Sequence, residues 1–158
     1  MQQSGEAGAR HRDISSGRGP IVLVVDDEDV IVEVLALVLS SEGYDVHTQS
    51  SGAGAVEWLR AHDCDLVLLD FMMPGMDGGA VGDAVRALPG GARIAIVMSS
   101  ALPERRVRER FPGYDAFLQK PYEMEHLLMV LERLLPVRPA EGSARNGRSG
   151  SPRDGEKP

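Results

Sequence analysis

The sequence has a single cysteine, Cys64, and only seven aromatic residues among its 158 positions. One cysteine excludes an intrachain disulfide and a cysteine-based zinc site. Because aromatic residues make up 4% of the chain and apolar residues 42%, the core is expected to be aliphatic. No stretch approaches the roughly 18 apolar residues of a membrane span, and the first twenty residues lack the apolar segment of a secretory signal. These absences lead us to expect a soluble, cytoplasmic protein without membrane partners.

Positive charge is also scarce in the central part of the chain. The whole chain carries a net charge of −7, and nineteen acidic residues face nine basic ones between Pro20 and Pro136. Such an acidic body argues against nucleic-acid binding. Residues 1–19 and 138–158 are mildly basic and nearly lack aliphatic side chains, so we expect two disordered tails. One domain over residues 20–137 remains.

Short apolar runs alternate with helical patterns along this domain. Strands are predicted at Ile21–Val25, 44–49, Leu66–Leu69, Ile94–Met98 and Ala116–Gln119. Helical spacing of apolar residues follows each strand, at 30–41, 52–62, 78–88, 103–111 and 124–135. Five such alternations predict an α/β fold with a doubly wound five-stranded parallel sheet and helices on both faces. The third helix, which is rich in glycine, and the fourth, which is very polar, carry the weakest patterns.

Polar side chains stand where the predicted strands end: Asp26, Asp27 and Glu28, then Asp70, then Ser99 and Ser100, then Lys120. In open α/β sheets, ligands bind beyond the carboxyl ends of the strands. Carboxylates gathered there repel one another, and a divalent cation together with an ammonium group would remove the conflict. A site whose ligands are all oxygen atoms suits Mg²⁺ better than zinc or copper.

A carboxylate beside Mg²⁺ and a lysine is equipped for phosphoryl transfer. Asp70 would attack phosphorus and form an acyl phosphate. Mg²⁺, Lys120 and a hydroxyl group would then stabilise the transferring oxygens. The turn after Asp70 contains Pro74, and it would let the Met72 carbonyl fold back onto the metal.

Four segments carry a resemblance to a known family: VLVVDDE, DLVLLDFMMPGMDG, VMSSA and YDAFLQKPY. They resemble the receiver domain of bacterial two-component response regulators, over about Ile21 to Leu135. The resemblance implies a flavodoxin-like sheet with strand order 2-1-3-4-5. It also implies a stand-alone regulator similar to those of chemotaxis, since the segment after Leu135 is short and lacks the pattern of an output domain.

The resemblance assigns a role to each acidic position. Asp70 would be the phosphoacceptor. Asp26 and Asp27, with Asp70 and the Met72 carbonyl, would hold Mg²⁺.

Further roles are implied by the same resemblance. Lys120 would pair with the carboxylate or the phosphoryl group, and the peptide bond to Pro121 would be cis. Ser99 would be the switch hydroxyl, with the adjacent Ser100 as the alternative. Phe117 would be the aromatic residue that changes rotamer when the switch operates.

The function expected from this resemblance is that of a signalling domain rather than an enzyme. A histidine kinase phosphohistidine would phosphorylate Asp70, and phosphorylation-dependent contacts of a monomer, or of a dimer formed on phosphorylation, would reach a downstream protein. Activity of its own would be limited to self-phosphorylation and slow self-dephosphorylation.

The main alternative is a phosphorelay carrier that passes the phosphoryl group to a histidine phosphotransfer protein. A phosphatase of the haloacid dehalogenase type is disfavoured because Met72 stands where that chemistry needs a second aspartate. A receiver that never takes phosphate is a further alternative.

Overall fold

A computed structural model of the chain describes residues 18–135. Five strands form one parallel sheet in the order β2-β1-β3-β4-β5. The strands are β1 (Ile21–Val25), β2 (Asp45–Gln49), β3 (Leu66–Asp70), β4 (Ala95–Ser100) and β5 (Ala116–Gln119). The helices are α1 (Asp29–Ser41), α2 (Gly52–Ala61), α3 (Gly78–Ala87), α4 (Glu104–Arg110) and α5 (Met124–Leu134), and one 3₁₀ turn lies at Gly91–Arg93. The predicted fold class and strand order are confirmed.

The alternation of side chains along each strand divides the core into two parts. On one face, Leu35 and Leu39 of α1 and Leu127 and Leu131 of α5 pack against the sheet. On the other face, side chains of α2 and α3, with Val107 of α4, form a second buried cluster. Because both faces are covered, the central strands are apolar on both sides, as the continuous run of β1 predicts.

Local caps position the helices on the sheet. The Ser51 hydroxyl accepts a hydrogen bond from the Gly54 amide at the start of α2. The Asp77 carboxylate accepts one from the Ala80 amide at 2.8 Å and begins α3. Such caps satisfy amide groups that the first helical turn leaves without a partner.

Two strands continue beyond their predicted ends. β3 includes Asp70, and β4 includes both Ser99 and Ser100. The apolar pattern stops earlier because the functional residues are polar, whereas the ladder continues: Asp70 pairs with Ser99, and the Phe71 amide donates to the Ser99 carbonyl at 2.8 Å. The expected tails lie outside the described residues apart from Arg18 and Gly19.

Candidate functional site

Three carboxylates meet at the carboxyl edge of the sheet. β1 and β3 are neighbours with Val25 opposite Leu69, so the next residues, Asp26 and Asp70, are brought together. Asp26 is 3% exposed and Asp70 5%, whereas Asp27 is open to solvent. One oxygen from each of Asp26, Asp27 and Asp70 lies within 4.8 Å of the other two. The strand pairing therefore assembles an acidic pocket, which we define by these three residues.

Lys120 reaches this acidic pocket from the far side of β4. It directly follows β5, and its Nζ lies 3.0 Å from Asp26 Oδ2 and 3.3 Å from Asp70 Oδ1. The peptide bond between Lys120 and Pro121 is cis, as expected. An ammonium group bonded to two nearly buried carboxylates offsets part of their mutual repulsion.

The ionisation of these groups reflects the conflict between burial and pairing. Burial raises the pKa of Asp70, and the Asp26 charge raises it further, while Lys120 and the Met72 amide oppose the shift. For Lys120, burial alone would lower the pKa, but the carboxylates of Asp26 and Asp70 outweigh it and raise the pKa. The pocket thus favours a protonated lysine and has a surplus of negative charge that a cation would compensate.

The two serines of β4 point to opposite faces of the sheet. Side chains alternate along a strand. Val97, two residues before Ser99, packs on the α1–α5 side, as does Leu68, two residues before Asp70. Ser99 therefore shares the face of its ladder partner Asp70. The Ser100 hydroxyl instead accepts a hydrogen bond from the Leu102 amide at 3.1 Å. The two serines therefore lie on different faces of the sheet, and Ser99 is the one that shares the face of Asp70.

Phe117 lies on the opposite face of the sheet from the acidic pocket's lysine. It pairs with Met98 in the ladder and packs against Tyr114, with ring centroids 6.0 Å apart. The Tyr114 hydroxyl donates to Glu104 Oε1 at 2.8 Å, and the Arg108 guanidinium lies 5.1 Å from the Tyr114 ring centroid. Sequence reasoning missed Tyr114, because its contacts with α4 are tertiary and no local pattern marks them.

The loop between Asp70 and α3 turns as the Met-Pro-Gly sequence requires. Met72 is 54% exposed, and its amide donates to Asp70 Oδ1 at 3.3 Å. Pro74 is exposed, and Gly75 comes next with φ of +78°, a conformation that favours glycine. The Gly78 amide then donates to the Phe71 carbonyl at 2.9 Å and closes the loop.

The donor set of the acidic pocket fits a hard divalent cation. Within residues 18–135, the only group of potential ligands found close together consists of carboxylates, without histidine or cysteine. Few protein oxygens on an open edge suit Mg²⁺, which keeps several waters and accepts phosphate oxygens. Among the same residues, no helix combines the length and the apolar character that crossing a bilayer requires.

Comparison with known families gives one match over most of the described chain. The family model of the response regulator receiver domain matches residues 22–132. Among curated proteins, the DNA-binding response regulator MtrA of Mycolicibacterium smegmatis is 36% identical over 109 residues, which are 68% of this chain and 46% of that protein. This chain spans about half the length of the curated relatives it matches.

Solved structures match over nearly their full length. Chemotaxis protein CheY4 of Vibrio cholerae has a TM-score of 0.68 at 30% identity, with 74% of this chain and 99% of that chain covered. Response regulator TrrA of Thermotoga maritima, solved in complex with Mg²⁺-BeF, has a TM-score of 0.67 at 30% identity, with 73% and 99% covered.

Proposed function

Because this chain belongs to the family of response regulator receiver domains, we propose that it accepts a phosphoryl group on Asp70 and signals through contacts that depend on this modification. The single observation that carries the proposal is the convergence of Asp26, Asp27, Asp70 and Lys120 on one edge of the sheet. Receiver domains are signalling domains rather than catalytic enzymes, and they bind Mg²⁺.

The reaction needs one nucleophile and a set of fixed charges. An Asp70 carboxylate oxygen attacks the phosphorus of a phosphohistidine, the phosphorus–nitrogen bond breaks, and the imidazole leaves with the bonding electrons. The Lys120 ammonium, already 3.3 Å from Asp70, neutralises part of the charge on the new acyl phosphate. In self-dephosphorylation, water slowly attacks the same phosphorus, the bond to the Asp70 oxygen breaks, and the Asp70 carboxylate and inorganic phosphate are released.

The acidic pocket would hold Mg²⁺ through Asp26, Asp27, Asp70 and the Met72 carbonyl. When bound, Mg²⁺ supplies positive charge to the phosphoryl oxygens. Ser99 would donate a hydrogen bond from its hydroxyl to the phosphoryl group, since it is the ladder partner of Asp70 and lies on the same face. Phe117 would transmit the effect of phosphorylation to α4, because its ring packs against Tyr114.

An apolar stripe on α1 offers a docking site for the phosphodonor protein. Val30, Val34 and Leu37 are 73%, 48% and 74% exposed, at the spacing of one helix face, and α1 begins three residues after Asp26. Exposed apolar surface of this kind marks contact sites. We propose that a histidine kinase or a histidine phosphotransfer protein docks here.

We also propose that the protein is cytoplasmic, acts as a stand-alone regulator and does not contact nucleic acid. DNA binding is a property of relatives such as MtrA.

Acetyl phosphate with Mg²⁺ tests the central claim. The wild-type protein should acquire one acyl phosphate, detected by mass, and Asp70→Asn should acquire none, because an amide of the same shape is not a nucleophile. Labelling of the Asn variant at the wild-type rate would refute Asp70 as the acceptor. Transfer of the label to a histidine of a partner would favour the relay role over a switch.

A further inference from the structure

The C-terminal end of α4 is tied to α3 by one guanidinium group. Arg110 Nη1 lies 3.1 Å from Asp83 Oδ2, and Arg110 Nη2 lies 3.8 Å from Asp77 Oδ1. Both carboxylates belong to α3 or to its N-cap, 27 or more residues away in sequence. Arginine can bridge two carboxylates in this way because its donors are fixed in a planar fork. We call Arg110, Asp77 and Asp83 the α3–α4 latch.

Glycines of α3 make room for the latch. A Cβ atom at Gly79 would lie 3.0 Å from Arg110 Cγ and 3.2 Å from Arg110 Cζ, and one at Gly82 would lie 2.6 Å from the Phe111 ring. These glycines weaken the helix pattern in the sequence. In the structure they let the end of α4 lie directly on the backbone of α3.

The latch also contacts the loop that follows Asp70. Asp77 is the last residue of this loop and the N-cap of α3. The loop is pinned at its other end, where the Phe71 amide bonds to Ser99. Beside the latch, an open groove of about 700 Å³ separates α4 from the loop, lined by Phe71, Leu102, Pro103, Arg106, Glu109 and Arg110. The guanidinium contacts therefore link the end of α4 to this loop in addition to the buried cluster that Phe71 and Met73 share with Val107.

We propose that Arg110 is a positioning residue that couples α4 to the loop at residues 71–77 and thereby to Mg²⁺ binding. The part that concerns Mg²⁺ rests on the proposed function, in which this loop supplies the Met72 carbonyl. When the contacts of Arg110 hold α4 against α3, the loop is restrained and Mg²⁺ binding is favoured. By linkage, a partner that pulls α4 away from α3 lowers Mg²⁺ affinity by the same factor by which Mg²⁺ lowers the partner's affinity.

Calorimetric titration of Mg²⁺ tests the coupling with a matched control. Arg110→Gln removes the latch, and we expect the Mg²⁺ dissociation constant to rise about two- to fivefold, the range of an exposed ion pair. Arg108→Gln removes the same charge from the same helix, but its contacts are with Glu104 of α4 and the Tyr114 ring rather than with α3 or the loop. Loss of a positive charge by itself strengthens cation binding, so Arg108→Gln should leave the affinity unchanged or slightly higher. Weaker binding in both variants, or in neither, would overturn the proposal.

A double-mutant cycle identifies the partner. Asp83→Asn breaks the shorter contact without touching the cap of α3. Arg110→Gln and Asp83→Asn should be non-additive in their effect on Mg²⁺ affinity, because each removes the same interaction. Additive effects would contradict the latch.

Amide hydrogen exchange without metal separates this inference from the proposed function. In the metal-free protein, Arg110→Gln should speed exchange in residues 71–81 about two- to fivefold, and Arg108→Gln should not. If wild type and Asp70→Asn bound Mg²⁺ equally, the proposed metal site would fail while the exchange result still tested the latch. Unchanged exchange in residues 71–81 of Arg110→Gln would overturn the coupling itself.

Discussion

Helices α1 and α5 on one face of the sheet are packed differently from α4 on the other face. On the α1–α5 face, two helices of 13 and 11 residues bury aliphatic side chains, and Leu39, Leu127 and Leu131 are fully buried. On the opposite face, α4 has seven residues, of which only Val107 is buried, and its remaining contacts are mostly exposed ion pairs. Exposed pairs contribute little stability each. Of the helices on the two faces, α4 is therefore expected to cost least to displace.

The proposed site uses this asymmetry. Asp70, Ser99 and Lys120 project toward the face that α1 and α5 cover. Phe117 and Tyr114 project toward the face of α4. A phosphoryl group held on the side of α1 and α5 would thus act on α4, the helix that we expect to move most easily.

Truncations in the two helices should give the largest effects. Leu127→Ala should lower the free energy of unfolding by about 2–5 kcal/mol, because a fully buried leucine leaves a cavity. Val107→Ala should cost only about 1–2.5 kcal/mol and should speed amide exchange mainly within α4. Denaturant unfolding and hydrogen exchange measure both effects.

An exposed position on α5 provides the control for these truncations. Met129 is 67% exposed, so Met129→Ala should change stability by less than about 0.5 kcal/mol. Equal destabilisation by Leu127→Ala and Val107→Ala, with global rather than local exchange in both, would remove the distinction between α5 and α4.

The two serines of β4 test the same distinction within a single strand. Ser99→Ala should reduce the response of α4 to beryllofluoride about tenfold or more, since a hydrogen bond to a charged group is lost. Ser100→Ala should keep the response and lose about 1 kcal/mol of stability, because the Leu102 amide loses its acceptor. Beryllofluoride titration followed by exchange in α4 measures the response. A normal response in Ser99→Ala, or its loss in Ser100→Ala, would reverse the assignment.

The smallest expected effect concerns the pH dependence of α4. Hydrogen bonds from Arg108 and Tyr114 lower the pKa of Glu104 from 4.5. A lowered pKa in the folded state means that this contact stabilises α4 above pH 4.5 and is lost as the pH falls through the folded value. Burial and the bond to Glu104 raise the pKa of Tyr114 to about 12. The stabilisation that accompanies this raised pKa is complete below pH 10 and is lost as the pH rises through about 12.

An NMR titration of the Glu104 carboxyl and Tyr114 ring carbons measures both the acidic transition of Glu104 and the alkaline transition of Tyr114. Glu104→Gln should abolish the change of the Tyr114 chemical shift at acidic pH, because an amide does not titrate. Titration of Tyr114 at its ordinary pKa of 10 would contradict both its burial and its bond to Glu104.

Much of the site follows from local order along the chain. Asp26, Asp70 and Lys120 could be placed at one edge because each follows an apolar run, and parallel strands end at the same edge. The β4 boundary could not be placed, since backbone pairing continues through Ser99 and Ser100 after the apolar pattern stops.

The order of strands and helices and the residues of the acidic pocket were already encoded in the sequence, because periods of two and 3.6 residues are properties of neighbouring positions. Tertiary packing was needed to establish that Ser99 rather than Ser100 shares the face of Asp70, and that Arg110 bridges Asp77 and Asp83. Those outcomes depend on which segments pack against each other in space. Residues 27 or more positions apart, such as Asp83 and Arg110, carry no common local pattern from which their contact could be predicted.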